Sequence, residues 1–258
     1  MPELPEVQMM TDLVAEVGAG QCLTRLETLD LRIWAGAEPL QSMGRLQVRR
    51  RGKLLVLVDE QYALLLHLRM TGQICRVEDH RKARLRFHFE NGQSLVLLDQ
   101  RCLARLEKVP RPDLEALFAH KSLGEEFWPV PRDGDWWSNA LGQKAGAIKP
   151  ALLTQDKVVG VGNIAASELL WRAATSPFRE VSTLSLEEWD RIAQAAHDHV
   201  DYCLSKETAD TLTFVTAGGP NFFRVYGREG DRCIRCGDSV RRDRQRGRAT
   251  FWCAGCQS

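Results

Sequence analysis

The sequence has no long hydrophobic run: no stretch approaches the roughly 18 consecutive apolar residues that a membrane-spanning helix needs. It also has no basic segment followed by an apolar one near its beginning, so a secretory leader is not expected. These two absences predict no membrane partner and a cytoplasmic location, at the nucleoid in a bacterium. The chain has 258 residues, 44% of them hydrophobic, which is enough for one large core or two ordinary ones.

Repeats, low-complexity tracts and a dinucleotide fingerprint are also missing. The glycine-rich turn "VVGVGN" is not G-x-G-x-x-G, so it does not indicate a dinucleotide-binding fold. Gly160, Gly162 and Asn163 are instead typical of a tight turn between helices. Free amides in such a turn, together with the N-terminus of the next helix, can hold a phosphate. An ordinary corner between two helices explains the same residues.

Lysine is absent from residues 224–248, although this segment carries nine arginines against four acids, a net charge of +5. The formal net charge of the whole chain is only +1, which by itself indicates no partner. A charged run is usually a solvated surface. Arginine is nevertheless the cation whose planar guanidinium best suits a phosphate group. A second basic cluster, "RRRGK", ends at Lys53.

Cysteine is scarce outside the C-terminal segment, where four of the eight cysteines lie. The other four have apolar neighbours and are expected to be buried free thiols. The C-terminal cysteines form two C-x2-C pairs separated by sixteen residues, the spacing of a zinc ribbon. Four thiolates close a tetrahedral site, so one structural Zn²⁺ is predicted, although a redox dithiol pair or two disulfides would use the same residues. The predicted ligands are Cys233, Cys236, Cys253 and Cys256.

The hydrophobic periodicity changes near residue 130. Before this point, an amphipathic helix after "MPELPEV" is followed by strand-like runs such as "KLLVLVDE", "QICRVED", "ARLRFHFE" and "SLVLLD", and "ENGQ" predicts a hairpin. After it, "NIAASELLWRAA" and "SLEEWDRIAQAAHDHVDYCLSKE" are typical of helices, the second of them capped by Thr183 or Ser185. The sequence therefore predicts an α+β fold with domains at residues 1–130, 131–222 and 223–258.

The string "MPELPEV" raises a separate question. Helix initiation explains Pro5 and Glu6, because proline is tolerated in the first turn and acids suit the positive end of the helix dipole. Helix initiation does not require Pro2 and Glu3, which lie upstream of the periodic segment.

Several strings, taken in order, resemble the formamidopyrimidine-DNA glycosylase / endonuclease VIII family. They are "MPELPEV", "RRRGKLLVL", "HLRMTG", "AIKPALLTQDKVVGVGNIAASELLWRA", "FRVYGREGDRCIRCG" and "GRATFWCAGCQ". The resemblance runs essentially from end to end. It implies an N-terminal β-sandwich with flanking helices, a helical helix-two-turn-helix domain and a zinc-ribbon β-hairpin. It also implies a monomer that binds damaged double-stranded DNA in the cleft between its domains, excises the base and cleaves the strand.

The resemblance gives Pro2 a chemical role. In this family the N-terminal proline, freed by removal of Met1, attacks C1′ of the damaged nucleotide, and the resulting iminium drives elimination of the flanking phosphates. An α-amine has a pKa of roughly 7.7–8.0, so far more of it is neutral at pH 7 than of a lysine amine. By resemblance, Glu3 protonates the ring oxygen of the sugar, and Glu6 matches a second family acid that orients the site.

The other roles that the resemblance implies are contacts with DNA. Lys53 and Arg248 match phosphate-binding residues that assist catalysis, although a solvated strand position is the alternative for Lys53. Met70 and Arg101 match the side chains that fill the void left by a flipped base, although a core methionine is the alternative for Met70. Further DNA contacts are implied for Glu6, Lys82, Lys144 and Asn163.

The departures from the family concern the choice of lesion. "DQRCLA" stands where the purine-specific branch has "DPRRFG", so Leu103 replaces an aromatic residue, and "LGEEFW" replaces "LGPEPL". The loop "TLTFVTAGGPNFFRVYG" is shorter than the one that covers an oxidised purine in that branch. "PELPEV" and "VYGREG" favour the formamidopyrimidine branch, which removes formamidopyrimidine and 8-oxoguanine. Two alternatives stay open: an endonuclease VIII-like preference for oxidised pyrimidines, and a non-catalytic zinc-ribbon DNA-binding protein.

Overall fold

The computed structural model describes residues 2–35, 40–76, 81–212 and 221–258. The last residues of the predicted strand "QICRVED" and residues 213–220 of the loop before the ribbon lie outside the described residues. The same holds for Met1, whose removal the family mechanism requires.

The described residues form two compact units. One runs as far as Lys121 and also includes residues 206–212, and the other comprises Ser122–Ser205 and Asn221–Ser258. The division into three domains stays a prediction. None of the helices in the described ranges combines the length and the hydropathy that crossing a bilayer requires.

Strands with alternating residues, such as Ala83–Phe89, and strands with continuous apolar runs, such as Leu54–Val58 and Tyr62–His67, build two antiparallel sheets in the first unit. Within the described part of this unit, the strands are β1 (Cys22–Thr28), β2 (Met43–Arg45), β3 (Gln47–Arg51), β4 (Leu54–Val58), β5 (Tyr62–His67), β6 (Gly72–Cys75), β7 (Ala83–Phe89), β8 (Ser94–Asp99) and β9 (Arg105–Pro110). One sheet has the order β2-β1-β7-β8-β6 and the other β3-β4-β5-β9. In β7 every second side chain is buried, as a strand with one face on a core requires. These sheets confirm the predicted N-terminal β architecture.

The Asn-Gly hairpin is confirmed between β7 and β8. Gly92 has a φ of +81°, which glycine adopts without strain, and the side-chain oxygen of Asn91 accepts the N–H of Gln93 at 3.0 Å. Strands β1, β2 and β9 were not predicted from the sequence. Charged and polar residues make up much of these strands, and β1 and β9 are held by pairing with the predicted strands β7 and β5.

Two helices flank the sheets of the first unit, α1 (Leu4–Gly18) and α2 (Leu114–His120). The predicted apolar face of α1 is confirmed, because Val7, Met10 and Val14 are completely buried. Helix α1 packs against β3 and β4 of one sheet and against β6 of the other. This packing fixes the direction in which the chain enters α1.

The second unit is mainly helical. Its helices and short strands are α3 (Gly134–Leu141), α4 (Ile148–Leu152), α5 (Asn163–Arg172), α6 (Leu186–Leu204), β10 (Glu125–Glu126), β11 (Val158–Val159), β12 (Val240–Gln245) and β13 (Arg248–Cys253). Of the two caps predicted for α6, Ser185 is the one used: its hydroxyl accepts the N–H of Glu188 at 3.3 Å, and Glu188 accepts the N–H of Ser185 at 2.8 Å.

The predicted C-terminal hairpin is confirmed by the antiparallel pair β12–β13. Its two-residue turn, Arg246 and Gly247, has φ values of +46° and +78°, as a type I′ turn requires. The hairpin shares a small apolar core with Trp171 of α5.

Glu168 of α5 holds the segment that leads into the hairpin. Its carboxylate is completely buried and accepts the backbone N–H groups of Arg224, Val225 and Tyr226 at 2.8–2.9 Å. A buried carboxylate that accepts three amides is a strong anchor, because hydrogen bonds to charged groups exceed those to neutral ones.

Candidate active site and candidate metal centre

Helix α1 begins on two buried carboxyl groups. Glu3, its N-cap residue, is 2% exposed, and Glu6, three residues later, is 3% exposed. The backbone N–H of Glu3 donates to Oε2 of Glu6 at 2.6 Å, and the side chain of Glu3 accepts the N–H of Glu6 in return. This reciprocal pair is a capping box built from two acids. Pro2 is buried directly before it.

Burial changes the chemistry of Glu6. Desolvation, followed by the proximity of Glu3, raises the pKa of Glu6 to about 8, although backbone N–H groups bonded to its carboxyl oppose the shift. Glu6 is therefore a neutral acid at pH 7. A neutral Glu6 completes the capping box without placing a negative charge beside the carboxyl group of Glu3.

Lys53 is half-buried in the turn between β3 and β4. Its positive charge, with that of Arg69, adds to burial in lowering the pKa of His67 to about 4. The arginines of "RRRGK" are largely occupied within the unit: Arg49 pairs with Glu115 at 2.8 Å, and Nε of Arg50 donates to the side chain of Gln8 at 3.0 Å. Arg49 therefore binds a side chain of α2 and Arg50 a side chain of α1. These two arginines of the predicted basic cluster are used for contacts within the unit.

Met70 and Arg101, the two residues predicted to fill the void left by a flipped base and called wedge residues below, lie on neighbouring loops. Met70 is 41% exposed in the turn between β5 and β6, so it is not a core methionine. Arg101 is exposed in the loop after β8, and its backbone N–H donates to Oγ1 of Thr71 at 3.3 Å. Lys82 is exposed nearby along the same sheet, where its carbonyl accepts the N–H of Asp99 at 2.8 Å.

In the second unit, the structure brings Asn163 and Arg248 together. Asn163 begins α5, and its Nδ2 donates to the carbonyl of Ala249 at 3.0 Å. Arg248 immediately precedes Ala249 and is exposed at the start of β13. The loop before α5 and the hairpin tip are therefore joined at the predicted phosphate-binding residues.

Lys149 connects the same two segments, and no role was predicted for it from the sequence. It is 0% exposed, and its Nζ donates to Oδ1 of Asn163 and to the carbonyl of Ala249, both at 2.8 Å. A third bond goes to Oγ1 of Thr250 at 3.0 Å, which satisfies all three ammonium donors. One sequence signal could have identified it: a single cation in the apolar helical stretch "AIKPALL".

A pocket with a volume of about 250 Å³ lies beside this cluster. Lys149, Arg246 and Arg248 line it, together with apolar parts of Pro150 and Leu153. Among the described residues, Arg246 and Arg248 have no acidic partner and no hydrogen-bond partner for their guanidinium groups. The pocket is therefore suited to an anion.

Two features differ from the expectations for the helix-two-turn-helix segment. The side chain of Lys144 is already paired: its Nζ donates to Asp156 at 2.5 Å, and this bond lowers the pKa of the Asp156 carboxyl. The N–H of Gly160 is not free for a phosphate either, because it donates to the side-chain oxygen of Gln155 at 3.0 Å.

The four C-terminal cysteines converge as the spacing predicts. Their Sγ atoms all lie within 4.8 Å of one another, at 3.7 Å between Cys233 and Cys256 and 3.4 Å between Cys236 and Cys253. Four sulfurs at about 2.3 Å from a tetrahedral ion would lie about 3.8 Å apart, so the residues fit a metal ion. A disulfide would need a distance of about 2.05 Å. Burial opposes ionisation of Cys233, but backbone N–H bonds outweigh it and lower its pKa to about 6.

The remaining cysteines agree with the expectation of free thiols. Cys75, Cys102 and Cys203 are buried, and Cys22 is half-buried.

Family models match most of the chain. Residues 1–106 match the formamidopyrimidine-DNA glycosylase N-terminal domain, and residues 123–214 match the H2TH domain of the same enzymes. The formamidopyrimidine-DNA glycosylase of Pelotomaculum thermopropionicum is 33% identical over 100% of this chain and 99% of its own length. The chain therefore belongs to the formamidopyrimidine-DNA glycosylase family.

Solved structures agree. The MutM (Fpg) protein of Thermus thermophilus has a TM-score of 0.84 and 32% identity, over 99% of this chain and 98% of its own. A mutant Fpg of Lactococcus lactis in complex with a Fapy-dG-containing DNA has a TM-score of 0.82 and 26% identity, over 100% of both chains. The wild-type Lactococcus lactis Fpg has also been solved with an oxidised-pyrimidine-containing DNA, with a TM-score of 0.83, 25% identity and 100% coverage of both chains.

The buried acid pair predicts a specific pH dependence of stability. The pKa of Glu6 is higher in the folded chain than the ordinary value near 4.5, so its stabilising contribution is complete below that value and is lost as the pH rises through about 8. Glu6→Gln keeps an oxygen that can accept the N–H of Glu3 but cannot ionise. We expect the stability of Glu6→Gln relative to the wild type to rise between pH 5 and pH 9, by on the order of a few kcal/mol.

Urea unfolding of both proteins at several pH values measures this difference. The matched control is Glu187→Gln, which removes an exposed acid from the first turn of α6. If the difference between Glu6→Gln and the wild type did not change with pH, Glu6 would have an ordinary pKa and the description of the acid pair would be wrong.

Proposed function

We propose that the protein is a bifunctional DNA glycosylase and abasic-site lyase that excises oxidised bases from double-stranded DNA. The observation that carries the proposal is the buried Glu3–Glu6 capping box directly after Pro2. Binding of DNA alone would not require two acids to be buried at that place. The family of the chain, and the lesion-containing DNA complexes of its structural relatives, support the same activity.

The nucleophile is the secondary amine of Pro2 after Met1 has been removed. Its lone pair forms a bond to C1′ of the damaged nucleotide, the bond from C1′ to the base breaks, and the base leaves with a proton. The C1′–O4′ bond of the sugar then breaks as the ring oxygen takes up a proton, which leaves a cationic iminium between the proline nitrogen and C1′. The iminium accepts the electron pair of a C2′–H bond as water or a carboxylate takes that proton, and the 3′ phosphate leaves. A second elimination releases the 5′ phosphate, and water regenerates the amine.

Glu3 and Glu6 divide the acid–base work. Glu3 delivers a proton to the ring oxygen of the sugar, which helps the ring to open. An ionised carboxylate close to the amine would favour its protonated, non-nucleophilic form. The raised pKa of Glu6 keeps this carboxyl neutral near pH 7, so it orients the chain before α1 without that effect.

Phosphate contacts come from residues of both units. Lys53, in the turn between β3 and β4, binds a phosphate near the lesion. Lys82 is exposed at the sheet that carries the loops of Met70 and Arg101. Arg248 lines the cationic pocket, where Asn163 is already fixed by Lys149 and Ala249. Lys144 must give up its bond to Asp156 before it can bind a phosphate. Its contribution to the free energy of DNA binding is therefore smaller than that of an unpaired lysine.

The void left by the flipped base is filled by Met70 and Arg101. The exposure of both side chains supports this role, because a side chain that enters the duplex must project from the protein surface. Filling the void offsets the unstacking cost of a few kcal/mol.

A second candidate substrate is an oxidised pyrimidine. Leu103, half-buried at the position where the purine-specific branch has an aromatic residue, favours it, and so does the relative solved with an oxidised-pyrimidine-containing DNA. A panel of formamidopyrimidine, 8-oxoguanine and thymine glycol in matched duplexes decides between the two classes.

The metal that the cysteine cluster holds is one structural Zn²⁺. Four sulfur ligands leave no open coordination position, so the ion stabilises the hairpin and takes no part in the reaction. The protein acts as a monomer, and in a bacterium it works at the nucleoid, where its substrate is.

The covalent step is testable by reduction with borohydride. Borohydride converts the iminium to a stable bond, so we expect the wild-type protein to be trapped on abasic duplex DNA and to nick it. Pro2→Gly should lose most of both signals, because a primary amine gives an imine that must gain a proton before it can accept electrons. The matched control is Pro5→Ala, a proline in the first turn of α1 outside the reaction, which should still be trapped. Binding to lesion DNA with neither trapping nor nicking would instead identify a non-catalytic DNA-binding protein.

The zinc assignment predicts one equivalent of zinc per chain and a hairpin that depends on it. Cys236→Ser or a strong chelator should increase hydrogen exchange of the amides in β12 and β13 and weaken DNA binding, because metal binding supplies folding free energy. Cys22→Ser, at a cysteine outside the cluster, is the control and should change neither measurement. Full protection of the hairpin in the presence of the chelator would contradict the assignment.

A further inference from the structure

We propose that Asp99 is a positioning residue that fixes the loops of Met70 and Arg101 relative to each other, so that both side chains enter the duplex as one rigid wedge. This inference rests on the proposed function, because it takes Met70 and Arg101 as the residues that fill the void left by the flipped base. Asp99 itself does not touch DNA in this arrangement.

The sheet register places the two loops at the same end of one strand pair. Gly72 at the start of β6 lies opposite Asp99 at the end of β8. Met70 is two residues before Gly72, and Arg101 is two residues after Asp99. The two loops therefore diverge from a single pair of residues in the sheet.

The turn that carries Met70 is closed tightly. The N–H of Gly72 donates to the carbonyl of Leu68 at 3.0 Å, and a Cβ on Gly72 would lie 2.5 Å from that oxygen. Only glycine permits this close approach. The turn consequently has little freedom to move Met70 away from the sheet.

The carboxylate of Asp99 binds both loops. It is 0% exposed, and its Oδ2 accepts the N–H groups of Leu103 and Ala104 at 2.6 and 2.7 Å. Its Oδ1 accepts the N–H of Arg101 at 3.2 Å and the hydroxyl of Thr71. Thr71 directly follows Met70, so one buried anion connects the backbone of one loop with a side chain of the other.

Both loops contain a strained residue beside the wedge side chain. Arg69 and Cys102, neither of them glycine, have φ values of +55° and +49°. Such conformations persist where surrounding groups hold them. The N–H of Arg69 donates to Nδ1 of His67 at 3.0 Å, and the N–H of Cys102 donates to the carbonyl of Asp99 at 3.3 Å. Asp99 therefore acts through its main chain as well as its side chain.

The fixed part of this network is the backbone, whereas the two wedge side chains stay free. Met70 and Arg101 are exposed, and within the described ranges no acid or acceptor binds the guanidinium of Arg101. Preorganised loops that present free side chains lower the entropic cost of inserting them into the duplex. Without the Asp99 bridge, each loop would have to order separately when the base is flipped.

The experiment compares a reaction that needs the wedge with one that does not. Single-turnover excision from a lesion duplex requires void filling, whereas borohydride trapping on a single-stranded abasic oligonucleotide does not. Thr71→Val removes the hydroxyl that reaches Asp99, and Asp99→Asn replaces one carboxylate oxygen by a donor. We expect each to slow duplex excision by about tenfold, as the loss of one hydrogen bond to a charged group implies, and to leave single-strand trapping unchanged.

Three further measurements distinguish a positioning role from a structural one. Thr71→Ser keeps the hydroxyl and should restore wild-type excision. Thr24→Val, whose hydroxyl donates to the carbonyl of His88 in the same sheet, is the matched control and should behave like the wild type. Fluorescence of 2-aminopurine opposite the lesion should show slower wedge insertion in Thr71→Val and in Asp99→Asn, and an unchanged rate in Thr71→Ser and Thr24→Val.

The outcomes separate this inference from the proposed function. A wild-type protein that is trapped on neither substrate would remove the proposed function and this inference with it. If the wild type is trapped normally but Thr71→Val excises like the wild type, or loses duplex excision and single-strand trapping to the same extent, the positioning role is refuted. If Asp99→Asn does not fold, the comparison of Thr71→Val with Thr71→Ser is sufficient to confirm or refute the positioning role.

Discussion

Two carboxyl groups buried side by side cannot both carry a negative charge without a large cost, and this constraint governs the beginning of the chain. Glu3 and Glu6 meet it because Glu6 stays protonated near pH 7 and shares a capping box with Glu3. The box fixes the first turn of α1, and packing of α1 against strands of both sheets fixes the helix. Pro2 is thereby held in one place beside an acid. The chemistry proposed for it depends on this arrangement more than on any other contact in the first unit.

The second unit also buries charged side chains, one of each sign. Lys149 is buried with all its donors satisfied, and Glu168 is buried with three amides bound to it. Both tie α5 or the loop before it to the hairpin segment. Other charged residues are also structural: Arg235 lies over the ring of Trp171 at 4.2 Å and donates to its carbonyl. Among the described residues, the guanidinium groups of Arg246 and Arg248 at the hairpin tip have no acidic partner, and the phosphate contact proposed for Arg248 depends on this.

Much of this structure could be predicted from local sequence patterns. The four cysteines, the Asn-Gly turn, the Ser185 cap and the apolar face of α1 depend on residues a few positions apart, and each was found as expected. The strands β1 and β9 could not be predicted, because polar and charged residues interrupt their apolar pattern and pairing with β7 and β5 provides their stability. The role of Asp99 was also invisible, since it arises from the register of β6 against β8. The DNA contact implied for Lys144 stays a prediction, and its pairing with Asp156 was not visible in the sequence because it depends on how two loops meet.

The proposed mechanism depends above all on which atom bonds to the sugar. The most direct measurement is peptide mass spectrometry of the protein after borohydride has trapped it on abasic DNA and the DNA has been digested. The mechanism predicts that the sugar remnant is attached to the nitrogen of Pro2 in a peptide that lacks Met1. Attachment to a lysine such as Lys53, or recovery of the trapped peptide with Met1 still in place, would contradict it.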